Sequence, residues 1–219
     1  MRKIEQTADG SFTLFVPEMN EHYHSVKGAL TESLHIFIRE GLQASRAEAP
    51  AVLEFGFGTG LNAYLTLLEA ERTGRKVFYT TLECFPLEEK LIQQLHYTDA
   101  ASSREADLFR ELHRAAWNTP VDITPHFTLL KVETDATQYA FSDDYDVVYF
   151  DAFAPDKQPE MWSEELFSRI HAHLRPQGIL TTYCAKGSVR RMLLAAGFEV
   201  ERLAGPPGGK REILRARKA

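Results

Sequence analysis

Three glycines at alternate positions, Gly56, Gly58 and Gly60, follow a short apolar stretch and precede a helical pattern. Glycine lets the main chain approach a ligand closely, and the first turn of a helix offers unpaired N–H groups to it. A tight strand-to-helix turn also uses glycine, so the loop alone is weak evidence for a ligand site. A dinucleotide fingerprint G-x-G-x-x-G would place glycine or alanine at position 61, which is Leu61 here. The spacing therefore disfavours an NAD-dependent oxidoreductase.

Acidic residues surround this loop and recur at the ends of two later predicted strands. Glu54 precedes the first glycine, Glu83 ends the second strand, and Asp135-Ala136 follow the third. A carboxylate at Glu83 can accept both hydroxyls of an adenosine ribose, and one at Asp135 can accept the adenine amine. An exposed glutamate and a helix N-cap are their alternative roles. Three such features at successive strand ends predict a class I S-adenosylmethionine (SAM) site, since SAM has a sulfonium cation and no pyrophosphate.

The fourth predicted strand ends in Asp151, which is followed by Phe153 and Pro155. This corner resembles the Asp-Pro-Pro-aromatic corner of amino-group methyltransferases. An amine is protonated at neutral pH, and a carboxylate can take a proton or a hydrogen bond from it, while an aromatic ring offers a face to a planar base. Asp151 is therefore the candidate catalytic residue. A cap on the following segment is its alternative role.

Strands and helices alternate from residue 50 onward, and these elements must position the candidate residues. The alternation predicts an α/β fold: a mostly parallel, seven-stranded sheet with helices on both faces, whose ligands bind at the carboxyl ends of the strands. The predicted elements are strands 51–55, 76–83, 126–132, 145–150, 178–183, 198–203 and 211–216, and helices 61–72, 86–95, 99–117, 161–174 and 188–196.

Two domains are predicted: an N-terminal hairpin and helix extension over residues 1–45 and a Rossmann-like domain over residues 46–219. The hairpin occupies residues 1–16, and residues 17–27 are polar and irregular. The helix covers residues 28–44, and its apolar face is formed by Leu30, Leu34, Phe37 and Ile38.

The composition is that of a soluble globular protein, with 44% hydrophobic and 26% charged residues in 219. No apolar run approaches the roughly 18 to 20 residues of a membrane span. The first six residues lack the apolar stretch of a secretory signal. Two cysteines, Cys84 and Cys184, cannot form a disulfide framework. These features predict a cytoplasmic protein.

Charge is distributed unevenly along the chain, although the net charge of -6 argues against indiscriminate nucleic-acid binding. Residues 169–219 contain 11 Lys/Arg and 3 Asp/Glu, whereas the preceding 168 residues contain 14 and 28. This asymmetry allows a basic patch on an acidic protein, and a solvated basic helix face explains it equally well. Lys186, Lys210 and Arg211 are candidate phosphate contacts.

Several motifs resemble the methyltransferase domain of the MnmC family. They are the glycine segment Phe55–Asn62, the corner Asp151–Pro155 with Pro159–Trp162, the dipeptide Lys210-Arg211 with Glu212, and an early segment running from Tyr23 to Phe37. The resemblance covers nearly the whole chain, and the combination of Asp-Ala-Phe-Ala-Pro with Met-Trp is specific.

The resemblance implies a class I SAM-dependent methyltransferase that methylates the amine of 5-aminomethyl-(2-thio)uridine at the tRNA wobble position, giving 5-methylaminomethyl-(2-thio)uridine. Bifunctional members of the family carry an additional flavin-dependent oxidoreductase domain, and we do not expect that activity within these 219 residues. We therefore expect a stand-alone, MnmD-like tRNA methyltransferase or a fragment cut at the domain boundary of a bifunctional protein. We also expect that a different enzyme supplies the aminomethyl group and that the protein is a monomer.

The resemblance also implies roles for individual residues. Asp151 would orient and deprotonate the amine, and Phe153 and Pro155 would shape the uracil slot. Glu83 would bind the ribose, and Asp135-Ala136 the adenine. The residues that would cradle the rest of SAM are Glu54, Gly56, Phe57, Gly58, Gly60 and Asn62.

Two alternative functions remain beside that of a tRNA methyltransferase. An aminopropyltransferase has a similar sheet and also alkylates amines, but its first loop is usually richer in glycine. A non-catalytic, Rossmann-like RNA-binding module would keep the basic C-terminal stretch and would not need Glu83, Asp135 and Asp151 together. A metal site is not expected, because His22-Tyr23-His24 has no matching Cys/His pair nearby.

Overall fold

The computed structural model describes residues 2–98 and 101–219. Met1, which opens the predicted hairpin, and the first two residues of the predicted helix 99–117 lie outside this description. The described chain forms one small sheet and one large sheet, and helices pack around the large one.

The small sheet is antiparallel and lies at the N-terminus. A hairpin joins β1 (Lys3–Gln6) to β2 (Phe12–Val16), and β3 (Glu21–His22) pairs with the other edge of β2. The predicted hairpin is therefore present. The third strand was not predicted, because two residues are too few to establish an alternating pattern.

The large sheet has eight strands in the order β10-β11-β9-β8-β4-β5-β7-β6. The five strands from β9 to β7 are parallel, and β10, β11 and β6 are antiparallel to their neighbours. The predicted count of seven omits β6, a four-residue strand at one edge. The strands are β4 (Ala51–Phe55), β5 (Val77–Glu83), β6 (Val121–Thr124), β7 (Phe127–Glu133), β8 (Tyr145–Phe150), β9 (Leu174–Thr182), β10 (Glu199–Ala204) and β11 (Glu212–Arg217).

The direction in which strands are added reverses beside β4. From β4 the chain proceeds outward through β5 to β7, and it later returns to the opposite side of β4 with β8 and β9. Such a reversal opens a crevice at the carboxyl ends of the two central strands, where ligands of open α/β sheets bind. The loop after β4 and the loop after β8 form the walls of this crevice, and they carry the glycines and Asp151 respectively.

Apolar side chains cover both faces of the large sheet. Neighbouring residues of β8, Val147 and Val148, belong to two different buried clusters, as do Val52 and Leu53 of β4. Because successive side chains of a strand point to opposite faces, this division shows that helices cover the sheet on both sides. The helices are α1 (Ala29–Ser33), α2 (Leu61–Thr73), α3 (Glu89–Ile92), α4 (Ser103–Arg114), α5 (Glu164–Ala172) and α6 (Gly187–Ala195), with a 3-10 turn at Pro159–Met161.

The N-terminal helix differs from its prediction. After α1 it continues as a π-helical segment, Leu34–Leu42, which packs against α2 and β9. Phe37 and Ile38 are buried as predicted, but Leu30 and Leu34 are 38% and 43% exposed. The wider π-helical turn places about one more residue in each turn than an α-helix, so the apolar face that an α-helical wheel predicts is not maintained.

Two predicted helices are shorter in the structure. The helix predicted over residues 86–95 is a single turn, α3, and the one predicted over residues 161–174 is divided between the 3-10 turn and α5. The Ser163 side chain accepts a hydrogen bond from the Leu166 backbone N–H and so caps the start of α5. No helix among the described residues is both long and apolar enough to cross a membrane.

Candidate active site

The glycine loop makes a sharp turn between β4 and α2. Gly58 has φ +50°, and a Cβ there would lie 2.9 Å from the Tyr23 ring. Gly60 has φ +74° and begins α2, and a Cβ there would lie 2.8 Å from Nε2 of His113. Glycine is required at both positions, because other residues would be strained at these angles and would collide with the side chains packed on the loop.

Glu83 braces this loop from the end of β5. One carboxylate oxygen accepts a hydrogen bond from the Gly58 backbone N–H at 2.9 Å, and the other accepts one from the Phe85 backbone N–H at 2.8 Å. Each oxygen retains a second lone pair, because a carboxylate oxygen can accept two hydrogen bonds. Glu83 is therefore held rigidly and can still accept hydrogen bonds from ligand hydroxyls.

A cavity of about 350 Å³ lies between the ends of β4, β5, β7 and β8. Its size is within the range of small-molecule sites. The apolar side chains Phe57, Leu61 and Met161 lie in its wall, together with the acidic side chains of Glu83 and Asp135. The sequence-predicted residues that line it are Gly56, Phe57, Gly58, Asn62, Glu83, Asp135, Ala136, Asp151 and Phe153.

Two of the residues predicted to cradle the cofactor do not line this cavity. Glu54 is 1% exposed and lies beneath the loop, where Thr81 Oγ1 donates a hydrogen bond to its Oε2 at 2.7 Å. Gly60 is turned toward Phe57 and His113 instead. Asp135 lines the cavity, and its Oδ1 also accepts hydrogen bonds from the backbone and side chain of Thr137. These contacts stabilise the turn after β7, and no helix begins in this described stretch, so Asp135 is not the helix N-cap of its alternative role.

A second cavity, of about 470 Å³, opens on the other side of Asp151. It lies between the N-terminal segment, the loop after β8 and the C-terminal hairpin, and Glu32, Tyr183 and Lys210 contribute to its wall. Five residues line both cavities: Tyr23, His24, Asp151, Ala152 and Phe153. The carboxyl group that the sequence predicts as catalytic therefore lies where the two cavities meet.

Asp151 is held by Asn62, whose Nδ2 donates a hydrogen bond to Asp151 Oδ2 at 2.9 Å. The surrounding protein removes most of the water from this carboxyl group, and the charge of Glu32 lies nearby. Burial, reinforced by Glu32, raises the pKa of Asp151 to about 8, although the Asn62 hydrogen bond and the Lys210 charge act in the opposite direction. A raised pKa of this size is typical of groups that take up or release protons in enzyme sites.

An aromatic pair separates the two cavities. Tyr23 and Phe153 contact each other edge to face, with ring centroids 5.2 Å apart. Next to them, His24 Nε2 hydrogen-bonds to Oγ1 of Thr59 in the glycine loop at 3.0 Å, and burial lowers the pKa of His24 to about 4. Neutral His24 therefore ties the N-terminal segment to the glycine loop.

The basic residues that the sequence predicts as phosphate contacts lie in different surroundings. Lys210 donates to Glu32 at 2.7 Å and lies 4.3 Å from the centre of the Tyr183 ring, so it forms part of the second cavity. Lys186 also lines that cavity and pairs with exposed Asp156 at 2.7 Å. Arg211 and Pro155 line neither cavity.

Sequence reasoning did not assign several residues of the site. Tyr23, His24 and Glu32 come from the N-terminal segment, and Tyr183 follows β9. No local spacing connects them to the glycine loop, and only the resemblance over Tyr23 to Phe37 pointed to three of them. Among the described residues, no group of three or more His, Cys, Asp and Glu side chains is arranged to hold a metal ion.

A family model described as S-adenosyl-L-methionine-dependent methyltransferase matches residues 112–219, which include Asp135 and Asp151. The chain is 32% identical to the tRNA 5-methylaminomethyl-2-thiouridine biosynthesis bifunctional protein MnmC of Cupriavidus metallidurans, over 94% of this chain and 33% of that protein. It is 30% identical to the protein of the same name from Pseudomonas syringae, over 90% of this chain and 32% of that protein. The chain spans about a third of the length of these curated relatives.

Two solved structures resemble the fold over almost the whole chain. MNMC2 from Aquifex aeolicus superimposes with a TM-score of 0.79 at 27% identity, covering 99% of this chain and 70% of that one. Spermidine synthase from Thermotoga maritima superimposes with a TM-score of 0.56 at 14% identity, covering 99% and 72%, and this likeness concerns the fold alone. The chain therefore has the class I SAM-dependent methyltransferase fold and is a relative of the methyltransferase part of the MnmC proteins.

Proposed function

We propose that this protein methylates the aminomethyl nitrogen of 5-aminomethyl-(2-thio)uridine at the wobble position of tRNA, with SAM as methyl donor. The observation that carries the proposal is the meeting of two cavities at one carboxyl group, Asp151. A group-transfer enzyme needs two adjoining sites that share a proton-accepting group, and the relationship to MnmC supplies the substrate class.

The first cavity fits SAM by the chemistry of its wall. Glu83, braced by two backbone N–H groups, would accept the ribose hydroxyls, and Asp135 with Ala136 would face the adenine. Gly56, Gly58 and Phe57 would border the methionine portion, and the acidic wall suits a cation. When bound, SAM supplies a methyl group on a sulfonium that an amine lone pair can attack.

In the second cavity, Asp151 would prepare the amine. Its Oδ2 accepts from Asn62, so Oδ1 is the oxygen available to the substrate. A substrate ammonium beside this carboxyl group would lower its pKa, so that Asp151 releases its own proton to solvent and becomes ionised. The carboxylate would then take a proton from the ammonium, which leaves a lone pair directed into the cavity junction. Phe153, with Tyr23 packed against its edge, would support the face of the uracil ring.

The remaining roles concern the tRNA and the setting of the reaction. Lys186 and Arg211 would contact phosphates, whereas Lys210, engaged by Glu32, would act inside the cavity. We infer a cytoplasmic monomer that depends on a separate enzyme to generate the aminomethyl group. Residues 1–45 would act as an extension that closes both cavities over a methyltransferase domain of residues 46–219.

Methyl transfer from labelled SAM to tRNA tests this proposal, with tRNA prepared from cells that lack wobble-uridine methylation and with nucleoside mass analysis of the product. We expect 5-methylaminomethyl-(2-thio)uridine with the parent protein and none above background with Asp151→Asn. Label found in a different nucleoside would overturn the substrate assignment. Alkylation of a polyamine but not tRNA would favour an aminopropyltransferase-like activity. Binding of tRNA without binding of SAM would favour the non-catalytic module.

A further inference from the structure

Three buried polar atoms lie around Glu54 without a hydrogen-bond partner among the described residues: Oε1 of Glu54, Oδ1 of Asn62 and the hydroxyl of Tyr79. Their side chains are among the least exposed in the protein, at 1%, 3% and 0%. An unsatisfied buried polar atom usually costs about 1–3 kcal/mol, so such a cluster requires an explanation.

The side-chain amide of Asn62 has a hydrogen-bond partner on its nitrogen but, among the described residues, none on its oxygen. Its Nδ2 donates to Asp151 Oδ2 at 2.9 Å, so its carbonyl oxygen faces away from Asp151. Asn62 also lies next to Glu54, and a hydrogen bond between the two side chains tends to lower the pKa of Glu54. The amide thus lies between two carboxyl groups. Its Nδ2 donates to Asp151, whereas its Oδ1 and Glu54 Oε1 are both acceptors without a donor among the described residues.

Two oxygens that can only accept hydrogen bonds repel each other when they meet in a buried site. If Glu54 is ionised, neither its Oε1 nor the amide oxygen of Asn62 has a donor, whereas a protonated Glu54 could supply one to the amide oxygen. Glu54 Oε2 already accepts from Thr81 Oγ1 at 2.7 Å, which leaves Oε1 as the site for the proton.

The charged and titratable groups around Glu54 favour the protonated form. Burial is the main cause that raises its pKa, to about 8, and the Asp151 charge adds to it when that group is ionised. Hydrogen bonds act in the opposite direction, namely those with Thr81, Tyr79 and Asn62. Tyr79 on β5 and Tyr149 on β8 also face it, and burial raises the pKa of both hydroxyl groups, which therefore contribute no charge.

We propose that Glu54 carries a proton on Oε1 and donates it as a hydrogen bond to Asn62 Oδ1, which fixes the amide with its N–H directed at Asp151. Glu54 is then a positioning residue that touches neither ligand, and Asp151 is left as the carboxyl group that changes its protonation during the reaction. The positioning role rests on the function proposed for Asp151, but the protonation of Glu54 does not.

Carboxyl ¹³C NMR of the protein without ligands tests the protonation directly. Selective labelling of glutamate side chains makes Glu54 visible and leaves Asp151 silent. We expect one glutamate resonance with the shift of a protonated carboxyl group at pH 7, absent from Glu54→Gln and present in the exposed control Glu48→Gln. A spectrum in which all glutamates are ionised at pH 7, or a protonated resonance that persists in Glu54→Gln, would overturn the proposal.

Kinetics then test the positioning role. Glutamine reproduces the donor of a protonated glutamate, so Glu54→Gln should keep kcat within about threefold of the parent, whereas Glu54→Leu should lower kcat by about 10- to 100-fold with little change in KM for SAM. Equal losses in both variants, with folding intact, would contradict a role through the donated hydrogen bond. Absence of methyl transfer by the parent protein would refute the proposed function and leave the NMR result unaffected.

Discussion

Two aspartates of this protein show how one chemical group serves opposite purposes. Asp9 lies in the N-terminal hairpin and accepts five hydrogen bonds, two from Thr31, two from Ser11 and one from Thr7. Asp151, at the junction of the two cavities, accepts one, from Asn62. Partial burial tends to raise the pKa of Asp9, but its hydrogen bonds together lower it well below the usual range, whereas burial raises that of Asp151 to about 8.

If the proposed function is correct, the difference separates a structural carboxyl group, that of Asp9, from a catalytic one, that of Asp151. Asp9 is satisfied by its neighbours, and it pins the hairpin to the start of α1. Asp151 accepts only the hydrogen bond from Asn62 among the described residues, and its other oxygen is therefore available to accept a proton from a substrate. A protein that must keep a reactive carboxyl group withholds from it the hydrogen bonds that would stabilise its charge.

The largest expected effect is on catalysis at Asp151. Asp151→Ala should lower kcat by ~10²–10⁴-fold, because it removes the proton acceptor. Binding of SAM, measured by calorimetry, should persist, since the residues proposed to contact the ribose and the adenine, Glu83 and Asp135, lie elsewhere in the wall. Activity above about a tenth of the parent would refute an essential role. Asp9→Ala, assayed at a temperature where it is folded, should keep the parent kcat.

Crowding of the glycine loop should produce the next largest effect. Gly58→Ala would place a Cβ against Tyr23 and strain a φ of +50°, and we expect SAM affinity to fall about tenfold or more. Gly74→Ala is the matched control, because Gly74 has φ +69° but open space around it. It should cost stability and leave SAM affinity unchanged. Equal losses of affinity in both variants would show that backbone strain alone is responsible.

The two aspartates should respond oppositely when their charge is removed. The pKa of Asp151 is higher folded than unfolded, so this group disfavours folding increasingly as pH rises from its ordinary value of 3.8 to about 8. Asp151→Asn should therefore raise the free energy of unfolding at pH 8 by about 1 kcal/mol or more, measured by urea titration without ligands. A destabilised variant at pH 8 would contradict the raised pKa.

Removal of the Asp9 carboxylate should change the free energy of unfolding in the opposite direction. Asp9→Ala should lower the free energy of unfolding by about 1–2 kcal/mol, because exposure of this group weakens its charge-assisted hydrogen bonds. Its pKa is lower folded than unfolded, so the stabilisation is complete above the unfolded value of 3.8 and is lost as pH falls below it. Asp143→Ala, at another exposed aspartate, is the control. If Asp9→Ala and Asp143→Ala have the same free energy of unfolding at pH 7, the predicted contrast between Asp9 and Asp151 is contradicted.

The smallest expected effect concerns Lys186, an exposed charge in the wall of the second cavity. Lys186 pairs with Asp156, and the two side chains are 52% and 61% exposed, so Lys186→Ala should change stability by less than about 1 kcal/mol. If Lys186 contacts a phosphate, the dependence of tRNA affinity on salt should weaken by about one unit of slope. Arg110→Ala removes a pair of the same exposure on α4 and should leave that slope unchanged.

The sequence was sufficient for those parts of the site that depend on local pattern. Alternating glycines after an apolar strand, and acids at successive strand ends, converge because the carboxyl ends of parallel strands share one edge of a sheet. Glu83 and Asp151 could therefore be placed together without coordinates. The edge strand β6 and the course of the N-terminal helix could not, because a four-residue strand and a π-helical segment lack a clear period.

The second cavity was beyond local reasoning. Its wall joins Glu32 to Lys210, residues that are 178 positions apart, and it places Tyr23 against Phe153. Contacts of this kind depend on how the N-terminal segment folds over the sheet, which no spacing records. The burial of Glu54 was missed for a related reason: its strand position is visible in the sequence, but the layer that covers it is not.

A crystal structure of the protein with S-adenosylhomocysteine and a short RNA containing 5-aminomethyluridine would test the central claim most directly. We expect the nucleoside of the cofactor product against Glu83 and Asp135 in the first cavity, and the aminomethyl nitrogen about 2.6–3.2 Å from an Asp151 carboxylate oxygen at the junction. An aminomethyl group held away from Asp151, with both ligands bound, would contradict it.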